Sequence, residues 1–343
     1  MGHRTEPPFP LMHAIAIAGY GGPDRLQLTQ RPRPSPGPGE VLIAVHAAGV
    51  NRPDILQRQG QYPPPPGASD IPGLEVAGVV AATGPGVPWP VPGDRVAALV
   101  TGGGYATHCI AEAALCLPMP ASMDMTRAAA IPENWFTVWA HLVLFAGLRA
   151  GESVLIHGGS SGIGLAAIQL AQARGARIFT TAGTSDKVAR LNRMPSVTAI
   201  PYREQDFVEV VQDATGGRGV DVILDMVGGR YLARNIAAAA PDCRIALIAA
   251  IDGLVADGIR IDRIMTHRIT ISGNTLRDKP IAYKGAIAAA LREMAWPLFE
   301  QGAAGPIIDR TYPLAQAAEA HKRMETSAHF GKLVLTIDNP VDD

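Results

Sequence analysis

The sequence has few cysteines, no long apolar segment and almost no net charge. Its three cysteines, an odd and sparse set among 343 residues, argue against a disulfide framework and favour a reducing compartment. The longest apolar run, residues 135–148, is too short to span a bilayer and contains His141. The net charge is −1, without a basic run that would attract nucleic acid or an anionic membrane. We therefore expect a soluble, cytoplasmic protein that binds neither.

The composition supplies enough apolar material for two packed domains. The chain is 47% hydrophobic and 18% charged, which argues against global disorder. Residues 12–125 are rich in Pro and Gly, and their short alternating apolar segments predict a barrel-like β domain. Residues 1–11 lack a signal-peptide pattern and are expected to be an extension, with Met12 as a candidate natural start.

From Ser153 onward, strands alternate strictly with helices. The six expected strands read "VLIH", "RIFTTA", "TAIPY", "VDVILDMV", "RIALIAA" and "ITISGN". Short strands rich in β-branched residues and joined by crossover helices predict a parallel, doubly wound sheet. The tail, a helix in "KGAIAAALREMAWPLFEQG" and a strand in "GKLVLTID", is similar in style to the first region. We predict an α/β protein with domains 1–135 and 136–278, and a segment 279–343 that returns to the first domain.

The stretch "HGGSSGIG", residues 157–164, matches two kinds of loop. One is the elbow of α/β-hydrolases, for which Ser160, Asp225 and His267 would formally complete a triad. That elbow lies deep within its sheet, whereas this loop follows the first strand, where a dinucleotide fold needs its phosphate-binding turn. We therefore predict a pyrophosphate site at a helix N-terminus, with Gly159 in the tight turn, Gly162 against the phosphate and Gly164 at a packing contact.

The end of the second strand predicts which nicotinamide cofactor binds. NAD sites place an acidic residue there, but this strand ends in "TTAGTSDK" without one. Gly183 and Thr184 leave space and donors for a 2′-phosphate, and Lys187 follows one turn later. Asp186 argues in the opposite direction, and a solvated surface position is the alternative for Lys187. The pattern favours NADPH.

Several segments in a specific order identify a family resemblance. They are "AAGVNRPDILQRQGQYPPPPGASDIPGLEVAGVV", "GDRVAAL", "AAAIPENWFTVW", "VLIHGGSSGIGLAAIQLA", "GVDVILDMVGG" and "HFGKLVL". From about residue 12 to residue 337, the chain resembles the zeta-crystallin-type NADPH:quinone oxidoreductases, a zinc-free branch of the medium-chain dehydrogenase/reductase superfamily. The resemblance implies a GroES-like β-rich catalytic domain, a Rossmann domain that binds NADPH, and a cleft between them.

The ligands of a catalytic zinc are missing from the expected positions. Zinc-dependent alcohol dehydrogenases of this superfamily have a cysteine within the segment that reads "GVNRPD" here, and a His-Glu pair where Leu74 and Glu75 stand. Cys109 and Cys116 have no histidine cluster nearby. Without a Lewis acid an unactivated ketone is a poor substrate, whereas a quinone or a conjugated enone delocalises the added charge itself. We predict a metal-free reaction on such an acceptor.

The resemblance implies three catalytic residues. Asn51 would face the nicotinamide end of the cofactor, Tyr62 would bond or protonate a quinone oxygen, and Ser161 would lie near the cofactor. Each has an alternative. Asn51 is a candidate N-cap, with Asp54 completing a capping box, Tyr62 is a candidate packing residue over the proline run, and Ser161 is a candidate turn hydroxyl.

Further cofactor contacts are implied by the same resemblance. They are Thr137, Ile163, Tyr202, Ala249, Ile251, Thr275 and Leu276. Burial in a helix is the alternative for Thr137, and strand-end packing is the alternative for Tyr202. Thr275 and Leu276 would also meet a partner subunit, because edge strands of this kind pair across a twofold axis. A homodimer is expected.

The sequence therefore predicts NADPH-dependent, metal-free reduction of quinones. A 2-alkenal or enoyl reductase with the same NADPH site is the alternative enzyme. An NADPH-binding sensor, or an RNA-binding protein with weak catalysis, is the alternative from another class, and the absence of a basic stripe counts against RNA. One-electron and two-electron transfer would use the same residues.

Overall fold

A computed structural model describes residues 10–338 of the chain. Of the expected N-terminal extension, residues 1–9 lie outside this range, whereas Leu11 already opens a strand and pairs with Pro32. The chain divides into two compact units. Of the described residues, the first unit contains 10–133 and 277–338, and the second contains 134–276.

The first unit is dominated by β structure. Its strands are β1 (Leu11–Ile17), β2 (Leu26–Pro32), β3 (Glu40–Val50), β4 (Glu75–Thr83), β5 (Arg95–Leu99), β6 (His108–Glu112), β7 (Cys116–Pro118), β14 (Ile308–Pro313) and β15 (Lys332–Thr336). Strands β1 and β2 form an antiparallel pair, and the other seven form one sheet in the order β14-β15-β3-β4-β5-β7, with β6 paired to β3. Inward-facing Val41, Ile43, Val45, Leu333 and Leu335 fill its core, as the alternating pattern of such strands requires.

Helices of the first unit are short except one. They are α1 (Arg52–Arg58), α2 (Met125–Ala128), α9 (Ile281–Met294), α10 (Trp296–Glu300) and α11 (Ala317–Glu325). The sequence predicted one helix across α9 and α10. Instead the helix breaks at Ala295, because Pro297 suits the first turn of a new helix and not the interior of a long one.

The second unit is a parallel sheet covered by helices, as predicted. Its elements are α3 (Pro132–Val138, of which residues 134–138 belong to this unit, continued by a π-helical segment Trp139–Phe145), β8 (Ser153–Ile156), α4 (Gly162–Ala173), β9 (Arg177–Ala182), α5 (Ser185–Leu191), β10 (Val197–Pro201), α6 (Phe207–Ala214), β11 (Val220–Asp225), α7 (Tyr231–Ala238), β12 (Ala239–Leu247), α8 (Ile261–His267) and β13 (Thr270–Gly273). The strand order is β10-β9-β8-β11-β12-β13. The order reverses direction at β8, so β8 and β11 flank the switch point where such sheets bind ligands.

Two elements of the second unit differ from the sequence prediction. The helix expected to run through "YLARNIAAAA" ends at Ala238, because Ala239 pairs with Val220 in the parallel ladder of β12 with β11. Helix α8 was not predicted, and none of its residues is buried, so it left no apolar periodicity to detect. No described helix combines the length and hydropathy needed to cross a membrane.

Candidate active site

The glycine loop between β8 and α4 presents unpaired backbone donors. Ser161 is the N-cap of α4: its Oγ accepts a hydrogen bond from the amide of Gly164 at 3.0 Å and donates one to the carbonyl of Gly158 at 2.7 Å. Within residues 10–338, the amides of Gly162 and Ile163 meet no acceptor. Free amides at the positive end of a helix form an anion site. The Ser161 hydroxyl thus bonds the local backbone of the turn, which was the alternative to a direct role at the cofactor.

The glycines of this loop allow close backbone packing. The left-handed conformation falls on Gly158, with φ of 69°, and not on Gly159, where we expected the tight turn. A Cβ at Gly159 would collide with Thr180, and a Cβ at Gly164 would collide with the backbone of Gly158. The loop therefore folds back on β9 and on itself, which leaves its outer face open for a ligand.

A buried polar chain supports the loop from below. His157 contacts Asn235 Oδ1 through Nε2 at 2.7 Å and Thr181 Oγ1 through Nδ1 at 3.2 Å. Asn235 then donates to Asp225 at 2.9 Å, while Thr181 Oγ1 accepts the amide of Gly158 at 3.2 Å. Burial lowers the pKa of His157, which favours the neutral ring. Asp225 thus holds the loop and is not part of a hydrolase triad.

The end of β9 brings several of the predicted 2′-phosphate residues together. Thr184 caps α5 by accepting the amide of Lys187 at 3.4 Å. A Cβ on Gly183 would lie 3.0 Å from the hydroxyl of Tyr202, whose side chain is 38% exposed. The guanidinium of Arg203, a residue that sequence reasoning missed, lies 5.9 Å from the Tyr202 ring. The arrangement offers hydroxyls and two cationic side chains at the strand end.

The other predicted cofactor residues lie at different strand ends. Ala249 and Ile251 follow β12, and Thr275 and Leu276 follow β13, so all four lie beyond the carboxyl edge of the sheet. Thr137 lies half-buried on α3. Next to Thr275, the side-chain nitrogen of Asn274 is buried, and no described residue accepts a hydrogen bond from it. An orphaned donor at this edge suits a bound polar ligand.

In the first unit, Asn51 belongs to a buried ionic cluster. Its Nδ2 donates to Glu75 Oε1 at 2.9 Å, and its Oδ1 accepts from Lys332 Nζ at 2.6 Å. Lys332 also pairs with Glu75 Oε1 at 2.6 Å, and both side chains are at most 4% exposed. Asn51 is also the N-cap residue of α1, which was the alternative interpretation of this residue. Its side chain, however, bonds Glu75 and Lys332 of the cluster.

Asp54 ties this cluster to neighbouring loops. Its carboxylate accepts the amide of Asn51 at 2.8 Å, the amide of Gly73 at 3.1 Å and the hydroxyl of Tyr105 at 3.1 Å. Burial raises the pKa of Asp54 to about 6, against the effect of these hydrogen bonds and Lys332. Asp54 therefore binds the amide of the N-cap residue Asn51, as expected for the capping box that was the alternative interpretation of this segment.

The same network continues to the surface through a buried arginine. Tyr105 lies 3.2 Å from His321 Nε2, and Arg58 lies 3.4 Å from His321 Nδ1. Arg58 is fully buried and pairs with Glu325 at 2.5 Å. Because Arg58 only donates, His321 Nδ1 accepts and Nε2 carries the proton. Burial and the Arg58 charge together lower the pKa of His321 to about 3.

Tyr62 packs against Arg277 and keeps its hydroxyl free. The guanidinium carbon lies 5.1 Å from the centre of the Tyr62 ring, within the range of a cation–π contact. Arg277 is held by Thr101 O at 3.0 Å and by Gln57 Oε1 at 2.9 Å. No described residue bonds the half-buried Tyr62 hydroxyl. Burial first, then the charge of Glu133, raises the pKa of Tyr62.

Glu133 is a further acidic residue that sequence reasoning missed. Its amide donates to Glu75 Oε2 at 2.9 Å, so it is attached to the carboxylate that holds Asn51. Burial, followed by repulsion from Glu75 and Asp54, raises the pKa of Glu133 to about 8. Its carboxyl is therefore largely protonated at neutral pH.

The described residues contain no cluster of three His, Cys, Asp or Glu side chains that could hold a metal ion. Cys109, Cys116 and Cys243 are free and buried, and burial raises the pKa of each thiol to about 12. Such thiols are poor metal ligands and poor nucleophiles.

Comparisons with known proteins cover nearly the whole chain. Residues 37–121 match the alcohol dehydrogenase GroES-like domain, and residues 162–295 match the zinc-binding dehydrogenase family. Quinone oxidoreductase of Rattus norvegicus is 31% identical over 95% of this chain and 98% of its own. Quinone oxidoreductase of Lama guanicoe is 34% identical with the same two coverages.

Solved structures agree with this relationship. A mycobacterial protein complexed with NADPH superposes with a TM-score of 0.84 and 30% identity, over 95% of this chain and 99% of that one. The CurK enoyl reductase also gives a TM-score of 0.84, at 26% identity over 95% and 99%. The free amides of the glycine loop fit the nicotinamide dinucleotide that such a fold binds. The resemblance seen in the sequence is confirmed: the chain is an oxidoreductase and belongs to the quinone oxidoreductase family of the medium-chain dehydrogenase/reductase superfamily.

Proposed function

We propose that this protein reduces quinones with NADPH and without a metal ion. The observation that carries the proposal is the contact of Lys332 with Asn51 and Glu75, both at 2.6 Å. Asn51 and Glu75 belong to the segments where zinc enzymes of the superfamily carry their ligands. The Lys332 ammonium group is buried between Asn51 Oδ1 and Glu75 Oε1, donates a hydrogen bond to each, and provides the positive charge at this position. The acceptor must then delocalise added charge itself, as a quinone does.

The second unit would hold the cofactor. Its pyrophosphate would lie on the amides of Gly162 and Ile163, within the loop from Gly159 to Gly164. Its 2′-phosphate would lie beside Gly183, Thr184, Lys187 and Tyr202, because no acid stands at the end of β9 to bind an unmodified ribose. Thr137, Ala249, Ile251, Thr275 and Leu276 would line the rest of the cofactor. Bound there, NADPH supplies the hydride.

The first unit would hold the acceptor. The free hydroxyl of Tyr62 would donate to a quinone oxygen, and Arg277 behind the ring fixes its direction. Asn51, held between Glu75 and Lys332, would face the reacting carbon of the nicotinamide. Ser161, whose hydroxyl is engaged by Gly158 and Gly164, would act by shaping the cofactor loop and not as a proton donor.

Enoyl or 2-alkenal reduction is the second candidate, favoured by the likeness to the CurK enoyl reductase. The discriminating experiment follows the loss of reduced cofactor with an ortho-quinone or a simple alkenal, and with NADPH or NADH. We expect fast turnover of NADPH with the quinone and little turnover in the other pairs. Turnover on the alkenal alone would assign the protein to the enone reductases. Binding of NADPH without turnover would favour a cofactor-binding role.

We further propose that the protein is a cytoplasmic homodimer. Strand β13 is an outer strand of the sheet, with β12 as its one neighbour among the described strands. The segment between them exposes large apolar side chains, with Leu254 94% and Val255 78% exposed. An open strand edge beside apolar side chains supports pairing with a second copy of the chain.

A further inference from the structure

Reduction of a quinone needs a proton as well as the hydride. This inference rests on the proposed function. When a quinone takes up a hydride, one oxygen is left with a negative charge, and a proton must reach it before the hydroquinone leaves. Tyr62 is the obvious donor, but burial and the nearby Glu133 charge raise its pKa above that of a free phenol. A phenol that weak does not readily protonate another phenolate.

Glu133 lies in the same cluster as the predicted catalytic residues. Its amide donates to Glu75 Oε2 at 2.9 Å, while Glu75 Oε1 receives Asn51 Nδ2 at 2.9 Å. Asn51 and Glu133 are therefore attached to the two oxygens of one buried carboxylate. The cluster keeps Glu133 at the start of α3 in a fixed backbone position.

The carboxyl group of Glu133 is available to form a hydrogen bond with a ligand. No described residue donates a hydrogen bond to it, and the side chain is half-buried. Charges that act on it come from Glu75, Asp54, Lys332 and Arg277. Glu75 and Asp54 each accept several hydrogen bonds, whereas no described residue donates one to the Glu133 carboxyl, so nothing there favours its charged form except Lys332 and Arg277.

We propose that Glu133 is the catalytic acid that protonates the reduced acceptor. The O–H bond of the Glu133 carboxyl breaks, and a new O–H bond forms on the acceptor oxygen that carries the negative charge. The acceptor thus gains two electrons and one proton from the hydride, and the second proton from Glu133. The resulting carboxylate takes a proton from water, which restores the enzyme.

The electrostatics of the site support both halves of this cycle. The pKa of Glu133 is raised to about 8, still below the value of ~10 expected for a phenol, so transfer to the reduced quinone is downhill. Arg277 then lies near the carboxylate that remains and opposes the repulsion of Glu75 and Asp54. Lys284 of α9 feels the Glu133 charge too, as does Tyr62.

The test compares Glu133→Gln and Glu133→Asp with a matched control, Glu112→Gln. Glu112 is also a half-buried carboxyl with a raised pKa, but it lies on β6, outside the cluster. We expect Glu133→Gln to lower kcat for the quinone about 100-fold while the KM for NADPH is unchanged, and Glu133→Asp to retain part of the rate. Wild-type kcat should fall as pH rises through about 8, because the acid form is lost. The control should keep the wild-type profile.

A second measurement needs neither cofactor nor turnover. Infrared difference spectra of the protein alone, titrated from about pH 6 to about pH 10, should show a protonated carboxyl band that disappears near pH 8 and is missing in Glu133→Gln. Wild-type kcat retained by folded Glu133→Gln would overturn the proposal, as would the absence of this band. If Glu133→Gln does not fold, a Glu133→Asp variant that keeps both the wild-type kcat and the wild-type pH profile would overturn it. A wild-type protein without quinone activity would instead refute the proposed function.

Discussion

Lys332 gives the first unit a cation at a place where a buried charge would otherwise be unbalanced. Its Nζ contacts Glu75 Oε1 at 2.6 Å, Asn51 Oδ1 at 2.6 Å and the carbonyl of Val50 at 3.1 Å. All three protons of the ammonium group are used, so the pair is satisfied despite its burial. Removal of one partner is costly because the other then stays charged in a dry environment.

Replacement of Lys332 by Met tests this balance. Because the Glu75 carboxylate loses its counter-ion, we expect Lys332→Met to lower the free energy of unfolding by about 3–5 kcal/mol, measured in urea. Lys322→Met is the control, since Lys322 pairs with Glu319 at the surface, where both side chains are 56% exposed. That change should stay within about 0.5 kcal/mol. Equal losses in the two variants would contradict the role given to the buried pair.

Lys187 tests the choice of cofactor at the level of one side chain. If it binds the 2′-phosphate, Lys187→Ala should raise the KM for NADPH about tenfold and leave the KM for NADH unchanged, because only NADPH carries that phosphate. Arg190→Ala is the matched control, one turn further along α5 and away from the Thr184 cap. Steady-state kinetics with both cofactors give the answer. Parallel increases for both cofactors would remove Lys187 from the phosphate site.

His321 makes the stability of the protein depend on pH in a defined direction. Its pKa falls from 6.5 to about 3 on folding, so the folded state binds fewer protons than the unfolded state. Stability is therefore lost as pH falls from about 6.5 toward 3. His321→Phe should be less stable than wild type near pH 7, and the gap should narrow by about 2 kcal/mol near pH 5. Urea titrations at both pH values measure it, and a constant gap would show that His321 does not carry this effect.

Helix α4 requires a glycine at position 164, whereas helix α9 should become more stable when its Gly285 is replaced. A Cβ at Gly164 would collide with the carbonyl of Gly158, so Gly164→Ala must displace the loop that the cofactor needs. We expect it to lower the free energy of unfolding by about 1–3 kcal/mol and to weaken NADPH binding at least about tenfold. Fluorescence titration and thermal unfolding measure the two effects.

Gly285 in α9 is the matched control for this substitution. A Cβ there would lie 3.6 Å from Ala114 Cβ, an ordinary contact, and no positive φ is required. Gly285→Ala should therefore stabilise the helix by about 0.5–1 kcal/mol and leave cofactor binding unchanged. If Gly164→Ala behaved in the same way, the packing argument for the glycine loop would fail.

At the level of elements, sequence patterns predicted what is buried and missed what is exposed. All six strands of the parallel sheet were found. Every residue of the central strands β8 and β11 is buried, whereas the outer strand β13 has no buried residue and was found from its β-branched residues. Strand β2 was missed, since six of its seven residues are not buried and its pattern is largely polar. Helix α8 was missed for the same reason. Local pattern thus detects strands with apolar or β-branched runs and overlooks exposed elements that lack such a run.

Across the whole molecule, sequence patterns identified candidate site residues only where these lie in a continuous motif. The glycine loop, Asn51 and Tyr62 each lie in a recognisable segment. The contacts of Arg277 and Lys332 could not be predicted, although Lys332 lies in the recognised segment "HFGKLVL": Arg277 meets the Tyr62 carbonyl across 215 positions and Lys332 meets Asn51 across 281. Contacts of this separation follow from the return of the chain into the first unit, which local sequence does not encode.

The proposed dimer is the prediction that belongs to the molecule as a whole. A chain of 36.0 kDa should run at twice that mass in light scattering, and Val255→Asp should reduce it to the monomer mass. A charge placed on an apolar, 78% exposed residue costs little in a monomer but must be desolvated at an interface. Leu28→Asp is the control, since Leu28 is 48% exposed on β2, in the other unit. It should remain dimeric. A wild-type chain that is monomeric at micromolar concentration would refute the assembly, and Val255→Asp that stays dimeric would move the interface away from this segment.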